Sequence, residues 1–446
     1  MSKAAEDGFD FSDDGLAREL AVKFEGRVCY EAESGQWVIW NGHKWERDRT
    51  LAVEDMVRNH CAQRAKFCNH EGAAKSIRSK PKILGVERLA RSDQKLAVRI
   101  DQWDASPALL NTPLGVIDLE TCKMRSSRPV DFMTKSTAVS PGGDCPRWLA
   151  FLLRITSGNQ KLIGYLQRVA GYCLTGYVRE HVIFFIFGPG GNGKSIFLNT
   201  LNGLMGNYGA VAAADTFMAS HNDKHPTSLA MLCGARFVSV SETEEGRSWA
   251  EARLKALSGG DPITAHYMRK DDFTFSPQFK LMIASNHKPT LRNVDDAMRR
   301  RLHLIEFGVS IPTEERDPLL PEKLKAEWGG ILRWAIDGCR EWQRIGLQPP
   351  AEIIAASEEY FEGQDTLGQW LDACAVLGPS YFTSSTTLFQ SWCAWAEAAG
   401  EHVGSQKALS TKLSDRGFKK SRLSSGRWGF IGITASIPTR NEGYRE

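Results

Sequence analysis

The chain has 446 residues, 42% of them apolar and 24% charged, with a net charge of +3; this is too long for one ordinary core, so two to four domains of about 100–200 residues are expected. The charge is too small to demand a nucleic-acid partner, and any such surface must come from local clustering. Ten cysteines without paired spacing fit reduced thiols better than a disulfide framework, the acidic start MSKAAEDGFDFSDDG is not a signal sequence, and no apolar run reaches membrane-spanning length, so a cytoplasmic protein with no membrane partner is expected.

Residues 1–20 read as a mobile acidic tail. The runs QWVIW and HKWE, with Asn41-Gly42 between them, signal a hairpin on a tight turn. Trp37, Trp40 and Trp45 suit a small core better than a base-stacking platform. From residue 51 to 99 the pattern is helical and basic, and a solvated helix face explains that as well as a phosphate contact does. His60, Cys61, Cys68 and His70 resemble metal ligands, but their spacing is not that of a usual zinc site. Residues 109–125 form a second hairpin-like unit, and the turn formers at 140–146 place a domain boundary near residue 145.

The most informative stretch is VIFFIFGPGGNGKS at 182–195. Six apolar residues run into a glycine-rich turn closed by Lys194-Ser195. Ile196, Phe197, Leu198, Leu201, Leu204 and Met205 follow at helical spacing, which gives strand, phosphate loop, helix. Gly188, Gly190, Gly191 and Gly193 would let backbone N–H groups close around a phosphate, because a Cβ there would block the required dihedrals. Pro189, Asn192 and Ile196 complete the nucleotide-binding stretch. Lys194 would reach the outer phosphates and the Ser195 hydroxyl would hold Mg2+, so ATP and Mg2+ are the expected cofactors.

In an open α/β sheet the carboxyl ends of the strands carry the ligand site. The apolar run at 237–241 ends at Glu242-Thr243-Glu244, which supplies acids for a metal ligand and for a base on the attacking water. The run at 280–285 ends at Asn286, whose amide would orient that water; a plain turn residue is the alternative there. A fourth run, 303–307, follows Arg299, Arg300 and Arg301, candidates for an arginine given in trans to a neighbouring γ-phosphate. Between the acid and asparagine strands lies a hairpin with a charged tip, suited to gripping the phosphates of a strand. From residue 366 onward, helical spacings lead to a basic two-stranded turn containing Lys419, Lys420, Arg422, Arg427 and Trp428. This suggests a winged-helix module with Lys407, Lys412 and Arg416 along its recognition helix, or else a domain with a solvated charged face.

In this order, GPGGNGKS, SETEEGRSWAEARLKALSGGDPITAHYMRK, FKLMIASNHKP and DDAMRRRLHLIEF resemble the superfamily 3 helicase domain of phage and plasmid primase–helicases, the group that includes the poxvirus primase–helicase. WVIWNGHKWERD and NTPLGVIDL are similar to that family's helicase-associated N-terminal domain. The resemblance implies an α/β fold, with a P-loop NTPase core of the AAA-like superfamily 3 helicase type at 146–345. A mainly helical N-terminal domain is implied at 21–145, and a linker helix with a winged-helix-like DNA-binding domain at 346–446. The implied activity is ATP-dependent replicative unwinding by a homo-hexamer moving 3′ to 5′ on single-stranded or forked DNA, for a phage, prophage or plasmid in a bacterial host cytoplasm.

Carried over by position, Lys194 and Ser195 match the Walker A residues, Glu242 the Walker B acid with Glu244 beside it, and Asn286 the polar sensor. Lys255, Arg269 and Lys270 fall in the DNA-facing stretch, and Arg300, ahead of Arg301, sits where the arginine finger is sought. The chain departs from relatives that carry a primase module upstream, so a separate primase or polymerase is expected as partner. Its acids are Glu-Thr-Glu rather than an adjacent pair, which leaves open which one holds the metal. A helicase loader or an origin-binding initiator that does not unwind is the alternative.

Overall fold

The computed structural model describes residues 10–219, 227–241, 248–266, 272–288, 291, 295–422 and 426–436. The chain divides into two compact units, residues 1–354 and 355–446.

Helix α1 (Asp13–Phe24) opens the first unit. The Ser12 hydroxyl caps it by accepting from the Gly15 N–H at 3.0 Å, and Asp13 and Asp14 occupy the first turn, where the helix dipole favours negative charge. Leu16 and Leu20 are buried. The acids expected to belong to a tail reaching residue 20 therefore start a packed helix.

Strands β1 (Val28–Glu31), β2 (Gln36–Trp40) and β3 (Trp45–Arg47) are joined in one sheet by β4 (Ala97–Val98), in the order β3-β2-β1-β4. The β2–β3 loop has four residues, wider than the tight Asn-Gly turn expected. Trp40 pairs with Trp45, and Asn41 Oδ1 accepts from the His43 and Lys44 N–H groups at 3.0 Å each, so the asparagine side chain bends its own backbone. Trp45 is buried with its indole N–H donating to the Pro129 carbonyl, and Trp37 donates to Glu87. These tryptophans are core residues.

Helices α2 (Ala52–Ala65), α3 (Glu71–Ile77) and α4 (Lys80–Ala90) pack on α1 around Val53, Val57, Cys61 and Val86. Much of the basic run is neutralised there, with Arg64 on Glu19, Lys82 on Asp13, Arg91 on Glu87 and Lys95 on Glu25. His60 is buried beside Cys61, and burial brings its imidazole down to about 4. Among the described residues no three potential metal ligands cluster.

Strands β5 (Leu109–Thr112), β6 (Gly115–Asp118) and β7 (Lys123–Arg125) form a three-stranded meander where two strands were expected. The N-terminal part thus carries two sheets beside its helices. Leu110, Ile117 and Leu119 enter the same core as helices α5 (Pro146–Ile155) and α6 (Gln160–Leu174), so the packing is continuous across residue 145.

The central sheet is built from β8 (Ile183–Phe187), α7 (Lys194–Met205), β9 (Gly209–Val211), α8 (Thr227–Ala230), β10 (Phe237–Ser241), α9 (Glu251–Gly259), a hairpin of β11 (Ile263–His266) and β12 (Asp272–Phe275), then β13 (Lys280–Ser285), α10 (Asp296–Arg299) and β14 (Leu302–Glu306). Its order is β14-β8-β13-β10-β9, parallel throughout. All five residues of β8 are buried, as a strand covered on both faces requires. Helices α11 (Leu320–Lys325) and α12 (Trp328–Ile345) complete the layer. Trp148 of α5 is fully buried, stacks on Phe197 of α7 at 5.5 Å and meets Trp334 of α12 edge-on at 5.7 Å. Helices α6 and α12 touch backbone to backbone: a Cβ on Gly338 would lie 2.0 Å from the Gln167 carbonyl oxygen, and one on Gly171 would lie 2.0 Å from Cys339 N.

At the amino ends of β10 and β13 two cations are buried. Arg236 donates to the carbonyls of Leu174 at 2.8 Å, Ser106 at 3.0 Å and Leu109 at 2.7 Å. Lys280 donates to those of Thr175, Tyr177 and Gln278, and burial brings its ammonium down to about 7.

Helix α13 (Ala351–Gln364) contains the point of division, and the second unit continues as α14 (Thr366–Cys374), β15 (Ala375–Ser384), α15 (Ser385–Ala399), α16 (Gln406–Asp415), β16 (Lys419–Arg422) and β17 (Trp428–Ala435). Its sheet has the order β15-β17-β16, over a core of Trp370, Leu388, Trp392, Leu413, Phe430 and Ile433. Strand β15 was not expected, since Gly378-Pro379 interrupts its pattern, and its register on β17 shifts between Leu377 and Phe382. No described helix is long and apolar enough to cross a membrane.

Candidate functional site

The glycine-rich loop joins the carboxyl end of β8 to the amino end of α7. Gly188, Gly191 and Gly193 take positive φ values of 140°, 73° and 89°, which a side chain rarely tolerates. Gly190 does not, and a Cβ there would meet nothing within 4 Å, so the dihedral argument made from sequence applies to three of the four glycines. A Cβ on Gly188 would lie 2.3 Å from the Phe307 carbonyl oxygen, and one on Gly193 would lie 2.7 Å from Ile155 and 2.9 Å from Phe151. Two further bonds pin the loop: the buried Asn192 amide donates to the Phe307 carbonyl at 2.7 Å, and the Ile311 N–H donates to the Gly191 carbonyl at 3.0 Å. Gly193 takes the N-cap position with no side chain of its own to cap α7, and although the Lys194 N–H reaches the Asn192 amide oxygen at 3.4 Å, a glycine-capped helix start of this kind is the arrangement that receives an anion.

Lys194, 7% exposed, sends its ammonium back over the loop. It donates to the carbonyls of Gly188 at 2.7 Å and Pro189 at 3.1 Å, and to the amide oxygens of Asn192 and Asn286, both at 3.1 Å. Burial holds its pKa below the usual lysine value. The bond to Asn286 follows from topology, because β13 lies directly beside β8 and delivers the residue just after its carboxyl end to the mouth of the loop. Ser195 is exposed and Ile196 half-buried on the first turn of α7. Strand β10 ends at Ser241, but Glu242 and Glu244 lie outside the described residues, as do Arg269 and Lys270 at the tip between β11 and β12.

A cavity of about 600 Å³ opens at the loop. Gly190 to Ile196 and Asn286 form one side, and Phe151, Arg154, Ile311, Arg316 and Leu320 the other. The second group carries no sequence signal, being brought from α5 and from the segment before α11. Arg154 pairs with Glu315 at 2.8 Å, and Arg316 donates to the Ile311 carbonyl at 2.9 Å beside Gly191.

Three cations read from sequence take other places. Lys255 forms an ion pair with Asp295, whose other carboxylate oxygen caps α10 by accepting from the Met298 N–H at 2.8 Å. The expected DNA-facing lysine therefore holds α9 to the start of the arginine-bearing helix. Arg301 is half-buried and Arg300 exposed, and each guanidinium donates to a carbonyl of its own helix, Arg301 to Ala297 at 3.0 Å and Arg300 to Asp296 at 3.2 Å, while the Arg301 carbonyl accepts from the Ile183 N–H at 2.7 Å at the foot of β8. In the second unit Arg416, still exposed, makes a two-point pair with Asp365 at 2.6 and 2.5 Å. Lys419, Lys420 and Arg427 are exposed on the β16–β17 hairpin.

Residues 17–157 match the family described as D5 N terminal like, and residues 186–301 match a family of unknown function, DUF5906. Among curated proteins the chain is similar to Putative helicase L207/L206 of Acanthamoeba polyphaga mimivirus, 22% identical over 420 residues that cover 82% of this chain and 44% of that protein. It is also similar to Putative helicase 022R of Frog virus 3 (isolate Goorha), 21% identical over 348 residues that cover 72% of this chain and 34% of the other. The chain thus spans less than half the length of these relatives. In fold it is similar to the apo structure of the NrS-1 C terminal region, with a TM-score of 0.50 and 11% identity, covering 95% of this chain and 100% of that one. The D5-type match at 17–157, ahead of a parallel sheet, and the two viral proteins named as putative helicases together support a relation of the chain to the viral primase–helicase group.

Proposed function

We propose that the chain is an ATP-dependent DNA helicase that replicates phage, prophage or plasmid DNA, moving 3′ to 5′ on one strand as a homo-hexameric ring. The observation that carries this reading is the buried Lys194 ammonium, held between the β8–α7 loop and Asn286 at the mouth of a cavity large enough for a nucleotide. That ammonium would meet the outer phosphates of ATP, the open N–H groups of α7 would bind them, and Asn286 would orient the attacking water. Ser195, with Glu242 or Glu244, would hold Mg2+, which when bound neutralises phosphate charge. Phe151, Ile311 and Leu320 offer the apolar wall that a base requires. The C-terminal unit, in the order helix, strand, two helices and a two-stranded ribbon, supports a winged-helix-like DNA module.

The test is displacement of a labelled strand from forked DNA. Unwinding with ATP, and none with a non-hydrolysable analogue, is the expected result, and moving the tail to the other strand gives the polarity. Hydrolysis stimulated by DNA without displacement would sink the helicase reading in favour of a loader or origin-binding initiator.

The exposure of Arg300 just after α10, against the half-buried Arg301, supports taking Arg300 first as the residue that acts on a neighbour's nucleotide. Mixing Arg300→Ala with Lys194→Ala subunits should then give more hydrolysis than the sum of the two alone, read by phosphate release. No excess at any mixing ratio would remove the trans role.

A further inference from the structure

Trp428 is 53% exposed at the start of β17, the only exposed tryptophan among the described residues. Two residues on, Phe430 is fully buried in the core of its unit. An indole left in water beyond a core that accepts its neighbour gains nothing from folding. Its surroundings are cationic. Arg422 is its cross-strand partner, with the guanidinium carbon 5.8 Å from the ring centroid, and the Lys420 ammonium lies 5.6 Å from that centroid. Residues 416–435 contain five Lys or Arg and no Asp or Glu. Arg422 also donates to the Gly426 carbonyl at 3.1 Å, which links the end of β16 to the segment leading into β17.

We infer that the β16–β17 hairpin is a single-stranded DNA site, in which an unpaired base stacks on Trp428 while flanking phosphates meet Lys419, Lys420 and Arg427. A flat aromatic surface framed by cations suits a base with its phosphates, because every base has a π-face and every nucleotide a negative charge. In a duplex those faces are covered by neighbouring bases, so the exposed ring selects unpaired strand. At the end of helix α16, Arg416 is paired with Asp365. The inference rests on the reading of the chain as a DNA-acting protein and is independent of its ATP site.

The experiment uses the full chain without nucleotide, a labelled oligo-dT strand, a blunt duplex, and a single strand carrying 2-aminopurine, whose fluorescence falls on stacking. Trp428→Ala should weaken single-strand binding by about fivefold or more and abolish the quenching, with duplex binding changed by less than about twofold. Trp428→Phe should keep most of both. Lys419→Ala with Lys420→Ala should weaken binding and flatten its salt dependence while leaving residual quenching. Equal losses on single strand and duplex, or Trp428→Ala binding within about twofold of wild type with quenching intact, would overturn the stacking site. Wild-type protein that binds neither form of DNA would overturn the DNA reading as a whole.

Discussion

Lys194→Ala should reduce ATP hydrolysis by about a hundredfold or more while the protein stays folded. The described partners of the ammonium are two loop carbonyls and two amide oxygens, and Asn192 and Asn286, which carry the amides, line the cavity, so water can enter from that side when the ammonium is removed. Removing this buried cation beside a water-accessible cavity therefore changes stability little, by about 1 kcal/mol, whereas losing the charge that meets the transferred phosphoryl group costs about 3 kcal/mol or more of barrier. Phosphate release and thermal unfolding separate the two effects. Without nucleotide the variant should melt with wild type, and added ATP should raise the midpoint of the wild type more than that of the variant. Unchanged turnover in a folded Lys194→Ala protein would sink the assignment of the site.

The second large effect is structural. Gly338→Ala should lower the melting midpoint of the first unit by about 4 °C, from a loss of about 3 kcal/mol. The new methyl would lie 2.0 Å from the Gln167 carbonyl oxygen and 2.6 Å from its carbon, and neither is the end of a flexible side chain. Helix α12 must then move away from α6, opening the Tyr172–Trp342 contact at 4.7 Å and disturbing Trp334 against Trp148. Intrinsic propensity works in the other direction, since alanine favours a helix interior over glycine by about 1 kcal/mol. Calorimetry thus reads the sign directly, and a midpoint equal to or above that of wild type would mean the helices have room to spare.

What the sequence made legible follows from how each segment is buried. Strands β8, β10, β13 and β14 are largely buried, so they read as mainly apolar runs, and their order along the chain was enough to place Asn286 near Lys194. Strand β9 has three residues and β15 is interrupted by Gly378-Pro379, so neither leaves a period to detect. Helix α1 was missed because Asp13 and Asp14 look the same in a solvated tail as in a helix's first turn, and the capping bond of Ser12 is not visible in composition. Lys255 and Arg416 show a different limit. A cation on a helix has the same sequence signature whether it faces a phosphate or an acid, and their partners Asp295 and Asp365 are 40 and 51 residues away. The wall of the cavity formed by α5 and residues 311–320 is a product of folding alone, assembled from segments that flank the sheet on either side in the chain.

Arg236 and Lys280 have a consequence for how this sheet can deform. Their acceptors are main-chain oxygens, which no substitution at those positions removes, so the grip on residues 106–109 and 174–177 persists through sequence drift. The sheet behaves as a reed clamped at its base. A ligand at the β8–α7 loop is therefore expected to displace the free end, where Ser241 and Asn286 emerge, more than the clamped end, to which Leu109 at the start of β5 is bonded.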